Sequence, residues 1–402
     1  NMAHKVYPWR EIKHAGSFAQ QIECPNNKGA QNSLLNIYGV EQSIFTERSG
    51  KLGSVTYNLD IRPLMIIKNC LPETLHYTVL SVADGQSGLA FNDVWPDPLE
   101  PGEIGHLQGV HFGKSALVLK IFNYRLKEWT SKTFLEKDMP ELTTWKFYSE
   151  EFATNLGQQR AELDLGVNCT TIAEKHWISI YAPFWMINKT GKMLTYGSKD
   201  PLNEVYHPTK ELSSIPMMFS YTSNSGGILS SKRKARLRID DSNWSEYFTL
   251  DTIEDSGKIT CHKKSSTNTE NYYVGVNFGM SKSSLTKIVT FTPFYVIQNT
   301  TKHKLELREI ESKKFNVQIE PNEAVPFWPM FGAKNIVARV AGTKEITTPF
   351  SIDEEHTTLL MLSNLHGGLN VEVRISNSET MVTIASYKKG HAPVQMINHT
   401  NC

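Results

Sequence analysis

The chain has 402 residues, 40% hydrophobic and 21% charged, a composition typical of folded globular proteins and a length that excludes one compact core. Its 42 basic and 41 acidic residues leave a net charge of +1, which excludes a surface built throughout for nucleic acid. No apolar run approaches the ~18 residues of a membrane span, and the opening NMAHKVYPWREIKH holds no apolar signal core.

In chain order, the first strongly patterned segment is IRPLMIIKNC, Ile61 to Cys70. A polar strand, LHYTVL, follows, then a proline-marked turn, LEPGE (Leu99 to Glu103), and an apolar strand, ALVLKIF. The stretch from Glu128, EWTSKTFLEKDMPELTTWKFYSEEFATNL, is the least strand-like and reads as a loop or short helix. The alternating strands AELDLGVN and HWISIYAP then lead into YAPFWMINKT, Tyr181 to Thr190. Beyond it lie a flexible turn, TSNSGGILSS (Thr222 to Ser231), and a strand, ARLRID. NYYVGVNF and KIVTFTP lead into FTPFYVIQNT, Phe291 to Thr300. HKLELRE, the turn IEPNE (Ile319 to Glu323), NIVARV and GLNVEVRIS repeat the order, and MVTIASYKKGHAP enters HAPVQMINHT, His391 to Thr400.

One ten-residue box thus recurs four times. Its prolines, Pro63, Pro183, Pro293 and Pro393, are 120, 110 and 100 residues apart, and its asparagines, Asn69, Asn188, Asn299 and Asn398, are 119, 111 and 99 apart. Self-similarity at this period marks an array of like units. Alternation at period two dominates: Leu369, Val371, Val373 and Ile375 share one face of LNVEVRI. Short strands rich in β-branched and aromatic residues, with turn signals about every ten residues, predict an all-β fold, a tandem array of antiparallel β-sandwich modules of about 100–120 residues each.

Within the box, the proline cannot donate to a sheet ladder and marks a strand entry or edge. The tetrad after it, such as Phe184-Trp185-Met186-Ile187, is apolar on both faces and predicts a strand buried from two sides. The asparagine closes the strand. Asn tolerates a left-handed backbone and bonds its own chain two residues on, so each box asparagine reads as a structural turn residue, with direct ligand contact as the alternative.

Five cysteines, Cys24, Cys70, Cys169, Cys261 and Cys402, fall at roughly one per repeat with no Cys-x-x-Cys spacing. They predict free thiols in a reducing cytoplasmic compartment, so the sequons at Asn168, Asn188, Asn243, Asn299 and Asn398 read as turn chemistry. No phosphate-binding glycine loop, His-Glu-x-x-His or Gly-x-Ser-x-Gly occurs, and the histidines show no metal-ligand spacing, so no enzyme, cofactor or metal is expected. The basic run SKRKARLR offers an anionic-lipid patch at Lys232, Arg233 and Lys234, weighed against a solvated strand face in which Arg236 and Arg238 alternate with Leu237 and Ile239. Trp95-Pro96-Asp97-Pro98 reads as a proline-rich loop. An extracellular adhesion array would want paired cysteines in each module, and a carbohydrate-active sandwich a carboxylate pair in one cleft.

The boxes SIYAPFWMINKTGKMLTY and VTFTPFYVIQNT, with AVPFWP (Ala324 to Pro329) and APVQMINHT, resemble the repeated adaptor-binding domain of the VPS13 bridge-like lipid-transfer proteins, most closely the A and C members, over residues 58 to 402. The resemblance implies six tandem β-sandwich modules in the family. Three of them fall at 58–175, 176–285 and 286–386, the C-terminal part of a preceding module at 1–57, and the first strand of a following one at 387–402. It implies a non-enzymatic targeting module that binds organelle adaptor proteins through Pro-x-Pro motifs and brings the lipid-transfer rod peripherally to membrane contact sites. No nucleic acid or small-molecule substrate is implied. It makes Asn69, Asn188, Asn299 and Asn398 the family's box asparagines, although Asn69-Cys70-Leu71 departs from Asn-x-Thr and predicts a different turn. A structural spacer or a phospholipid-surface-binding β array is the alternative function.

Overall fold

A computed structural model describes residues 20–24, 33–46, 52–63, 65–81, 98–107, 110–149, 161–172, 175–198, 204–208, 216–221, 234–250, 256–264, 271–331, 334–362, 366–388, 390 and 399–400, with side chains from 65 onward. It divides into two compact units, Asn1–Tyr181 and Ala182–Cys402. Every regular element among the described residues is a strand.

In the first unit, β1 (Gln20–Cys24), β2 (Ser33–Thr46) and β3 (Leu52–Pro63) form an antiparallel meander. The strands that follow are β4 (Met65–Cys70), β5 (His76–Ser81), β6 (Ile104–Leu107), β7 (Ser115–Tyr124), β8 (Lys127–Phe134), β9 (Leu142–Ser149), β10 (Glu162–Ile172) and β11 (Lys175–Tyr181). They make one sheet in the order β5-β7-β8-β9-β10-β11-β4-β6. Within the stretch read as a loop or short helix, residues 128–134 and 142–149 are strand, in β8 and β9, and residues 150–156 lie outside the described residues. Trp129 and Ser131, then Trp145, Phe147 and Ser149, point inward at period two, and polar residues between them face out. Threonines and aromatics suit that pleated surface, and the many lysines only cover its outer side.

The second unit contains β12 (Phe184–Asn188), β13 (Leu194–Gly197), β14 (Val205–His207), β15 (Met217–Phe219), β16 (Lys234–Ile239), β17 (Phe248–Thr249), β18 (Gly257–His262), β19 (Asn271–Met280) and β20 (Lys287–Pro293). It continues with β21 (Tyr295–Asn299), β22 (Leu305–Glu309), β23 (Val317–Ile319), β24 (Ala324–Phe327), β25 (Asn335–Val340), β26 (Phe350–Ser351), β27 (His356–Met361), β28 (Gly368–Ile375) and β29 (Thr380–Ser386). Two sandwiches result, each a five-stranded sheet on a four-stranded one: β15-β12-β20-β19-β18 over β14-β13-β16-β17, and β24-β21-β29-β28-β27 over β23-β22-β25-β26. Each has its own core. Phe184, Met186, Tyr196, Leu237, Val274 and Phe291 meet in one, and Tyr295, Ile297, Leu307, Ala338, Val371 and Ile384 in the other.

The box strand lies inside its sheet, and its partner is unexpected. β4 pairs parallel with β11, β12 with β20, and β21 with β29, in sheets whose other pairs are antiparallel. Parallel neighbours require a long crossover, and here almost a whole module supplies it. The strand leading into each box proline accordingly pairs with the preceding box strand, and shared sheets group residues 65–181, 184–293 and 295–386. Burial of the box strand is less symmetrical than its composition suggests. In β12 and β21 one face is buried and the other half-buried, whereas β4 is buried almost throughout.

Within the second unit the two sandwiches are locked together. The Ser378 carbonyl abuts the α-carbon of Gly275 in β19, where a Cβ would collide with it, and Ser378 Oγ donates to Asn277 Oδ1 at 2.8 Å. Tyr273 meets Tyr295 edge to face at 5.8 Å, and Lys334 Nζ lies 4.7 Å from the Tyr273 ring while pairing with Asp353 at 2.9 Å. Trp328, just past β24, leaves its own module and packs on the neighbouring core beside Tyr272, at 5.8 Å. Its loop is held by the Glu309 carboxylate, which accepts the N–H groups of Met330 and Phe331 at 2.8 and 2.9 Å. Burial raises the Glu309 carboxyl above the ordinary range against the pull of those donors.

Two backbone features give tests of this fold. Leu126 stands 98% exposed at φ +58° in the β7–β8 turn, a left-handed position costly for a side chain with Cβ. Leu126→Gly should raise unfolding stability by about 0.5–1 kcal/mol, since no packing is lost; an unchanged or lowered denaturant midpoint would contradict the strain. Gly275→Ala should lower stability by about 1–3 kcal/mol through the clash with Ser378, read as a drop in melting temperature that Gly279→Ala, with open space around it, does not show.

Candidate functional site

Each described box asparagine ends its strand with a buried side chain: Asn69, Asn188 and Asn299 are 0%, 1% and 0% exposed. A buried amide requires partners for its carbonyl and both N–H groups. Asn188 Oδ1 accepts the Thr190 N–H at 3.0 Å and the Thr190 hydroxyl at 2.7 Å, and its Nδ2 donates to the Lys192 carbonyl at 2.7 Å. Asn299 repeats this with Thr301 N–H (2.9 Å), Thr301 Oγ1 (2.7 Å) and the His303 carbonyl (2.8 Å). The threonine itself bridges the turn, since Thr301 Oγ1, which donates to Asn299 Oδ1, also accepts the His303 N–H at 3.1 Å.

The Asn69 turn keeps the same frame. Leu71 N–H donates to Asn69 Oδ1 at 2.9 Å and Asn69 Nδ2 to the Glu73 carbonyl at 2.9 Å. Leucine at the threonine position removes only the hydroxyl bridge, so the departure from Asn-x-Thr alters one contact and not the turn. None of the three asparagines has positive φ. The left-handed residue of NKTG is Gly191, at φ +71°. The asparagine acts through its amide, not through backbone tolerance.

The same residue also clamps the proline-marked turn. Asn299 Nδ2 reaches the Ile319 carbonyl at 3.1 Å, its backbone N–H donates to Glu323 O at 2.9 Å, and its carbonyl accepts the Asn322 N–H at 2.8 Å. Asn69 matches it with Leu99 O (2.8 Å), Glu103 O (3.0 Å) and Gly102 N–H (2.8 Å). Gly102 and Asn322 take the left-handed position these turns need, at φ +89° and +62°. Glu103 and Glu323 fold their carboxylates back onto the N–H of Glu100 and Glu320. LEPGE and IEPNE each meet the box asparagine of their module across different sequence distances, 30 residues from Asn69 to Leu99 and 20 from Asn299 to Ile319, so the sequence shows both features but not their contact.

The three described box strands stand one per sheet. Pro183 lies between β11 and β12, and its carbonyl accepts the Lys287 N–H at 3.0 Å. Pro293 ends β20, and Pro63 ends β3 with its side chain outside the described residues. Asn398, Pro393, Lys232 and Arg233 also lie outside them, and Lys234 is exposed at the start of β16. Among the described residues no group of His, Cys, Asp and Glu forms a metal site, and no helix is long and apolar enough to cross a membrane. Cys70, Cys169 and Cys261 form no disulfide with one another among the described residues, and burial pushes the Cys169 and Cys261 thiols up to about 11 and about 12.

Position seven after each box asparagine carries a second pattern that the sequence reading missed. His76, Thr195 and Glu306 face Lys120, Arg238 and Arg339 across the neighbouring strand. Each cation lies over an aromatic ring: Lys120 over Phe122 at 4.9 Å, Arg238 over Trp244 at 4.9 Å, and Arg339 over Phe315 at 3.9 Å. The signal was present in LVLKIF, ARLRID and IVARV aligned on their basic residue. The three rings, however, come from unrelated points of the chain.

Removing the amide should leave several buried backbone groups unpaired. Asn299→Ala should therefore cost about 1–3 kcal/mol in urea unfolding, and Thr301→Val about 1 kcal/mol. A wild-type unfolding midpoint for Asn188→Ala or Asn299→Ala together with altered ligand binding would assign the residue to recognition instead.

Comparison with known proteins places this geometry. Residues 10–402 match the family described as vacuolar-sorting associated protein 13, adaptor binding domain. The chain is 30% identical over 402 residues to intermembrane lipid transfer protein VPS13C of Homo sapiens, covering 98% of the chain and 10% of that protein. It is 25% identical over 402 residues to VPS13A of Mus musculus, covering 97% and 12%, and 27% identical over 204 residues to tipC of Dictyostelium discoideum, covering 38% and 5%. The chain therefore spans roughly a tenth of the length of the VPS13C and VPS13A relatives. With its boxes, its all-β sandwiches and this match over nearly its whole length, the chain belongs to the VPS13 adaptor-binding domain family.

Proposed function

We propose that this chain is a non-enzymatic targeting module that recruits a VPS13-like lipid-transfer protein, peripherally, to organelle membrane contact sites by capturing adaptor proteins through Pro-x-Pro segments. In this reading the box asparagines are structural, each setting the end of one sheet strand so that the modules hold a fixed shape for a partner. The observation that carries it is the recurrence of one hydrogen-bonded asparagine turn in three modules of an adaptor-binding-domain chain.

The physics of the ligand fits a β array. Extended peptides add to exposed sheet edges, and the five-stranded sheets of the second unit end in β15 and β18, and in β24 and β27. Prolines two apart remove both N–H groups from one edge of an extended segment, so such a peptide pairs through its other edge and admits no further strand. That property favours capture of one adaptor over open-ended association.

Fluorescence anisotropy with a labelled Pro-x-Pro peptide and its Pro→Ala control tests this directly. Saturable binding to the chain, lost with the control, is expected. Equal binding of both peptides, or of neither, by this chain and by a longer one carrying the next module, would overturn the Pro-x-Pro reading.

A further inference from the structure

The strands β7, β16 and β25, which carry Lys120, Arg238 and Arg339, differ in how their outward cations are paired. In the 65–181 group, Lys120 is neutralised by Glu128 at 2.9 Å. In the 295–386 group, Arg339 is neutralised by Glu306 at 2.7 Å, and Gln318 holds the same carboxylate. In the 184–293 group the residue in the place of Glu306 is Thr195, which brings no charge. Arg238 there contacts the Trp244 ring and no carboxylate among the described residues.

This face has also gained cations. Lys234, Arg236 and Arg238 alternate along β16 with the buried Ala235, Leu237 and Ile239, so all three point outward. The position of Arg236 is taken in β25 by Val337. Arg236 lies over the Trp244 ring at 4.3 Å and 5.7 Å from the Tyr247 ring, and it forms a long ion pair with Glu204 at 4.0 Å. The Nε–H groups of both arginines are buried and meet no acceptor among the described residues. Other acids nearby are committed or turned away: Asp240 pairs with Lys192 at 2.8 Å, and Asp241 and Glu246 are exposed with no ion pair to either arginine.

We propose that the outer face of β16, built on Lys234, Arg236 and Arg238 around Trp244, binds an acidic segment of a partner protein in extended form. The neighbouring sandwich indicates the chemistry, because the group that satisfies the equivalent arginine there is a side-chain carboxylate on Nε. The indole against both guanidinium groups holds them in place, and their terminal Nη donors face an incoming carboxylate. Cations two residues apart on a strand recur every ~6.8 Å, and so do alternate side chains of an extended peptide. An acidic residue at every second position therefore matches the face in register. The adaptor motif proposed above is not needed for this, and the two sites stand or fall separately.

The test uses the full chain and a labelled peptide alternating Glu and Ser, with a Gln-Ser control and a peptide of equal charge whose glutamates are clustered. Binding should favour the alternating peptide and weaken as salt rises. Arg238→Gln should reduce affinity about tenfold, the loss of one charge-assisted pair. Thr195→Glu, which installs the carboxylate of the neighbouring module, should do the same while keeping both arginines, and Arg339→Gln should change nothing. Melting temperatures of all three establish that they fold, and the Pro-x-Pro titration should be unmoved by Arg238→Gln and Thr195→Glu. Unchanged affinity in Arg238→Gln and Thr195→Glu would overturn the proposal. So would equal loss in Arg339→Gln, or equal binding of alternating and clustered peptides. Flotation with vesicles containing phosphatidylserine, dependent on the same residues with no peptide binding, would replace the acidic segment by a membrane surface.

Discussion

One buried amide organises each module. At Asn299 a single residue holds its own turn through Oδ1 and Nδ2, and a second turn through Nδ2 and both backbone groups. Amides buried this completely are tolerated only when every donor and acceptor is met, because an orphaned group costs about as much as a hydrogen bond contributes. The constraint fixes where the box strand ends, and with it the register of the strand against both neighbours. A carbohydrate on Asn188 or Asn299 is incompatible with these contacts, which gives a structural reason for reading their sequons as turn chemistry.

The parallel pairing follows from the same frame. Because the box strand ends at a defined point, the strand that later runs into the next proline can lie beside it in register, Phe184 against Lys287 and Tyr295 against Thr380. Each module is closed by its own last strand, and the chain passes directly into the next box. In the second unit, Gly275, Trp328 and Ser378 then fasten the successive sandwiches, so that two like units present a fixed pair of faces.

Much of this was legible in the sequence. Period-two alternation marked the strands, and the spacing of Asn69, Asn188 and Asn299 marked the recurrence of one asparagine turn. What was missed depends on registers that local pattern does not encode. β8 and β9 hide behind lysines and threonines whose burial is decided by Trp129, Trp145 and Phe147 on the other face. The parallel partner of the box strand lies about a module away, beyond any local signal. The stacking of Arg238 on Trp244 and of Arg339 on Phe315 needs the cross-strand register and the path of a connecting loop, and alignment of the strands supplies neither. The left-handed role expected of the box asparagine falls instead to Gly191, Gly102 and Asn322, whose neighbours share the same turns.

The parallel closure has a consequence for how the chain comes to be folded. The apolar box strand is the first part of its module to be synthesised, and its inner partner is among the last. Contacts this distant in sequence make folding slow and leave the early strand uncovered while the rest is made. A module truncated before its final strand would keep its turns and most of its antiparallel pairs, yet its first strand would lack one neighbour. The prolines at the box entrances, unable to donate to a foreign edge, sit where a nascent chain is most exposed to wrong pairing. Tandem modules of one design put like strands within reach of exchange, and sequence differences within the box strands, MIIKNC in β4 against FWMIN in β12, give each strand a means of being told apart from its siblings.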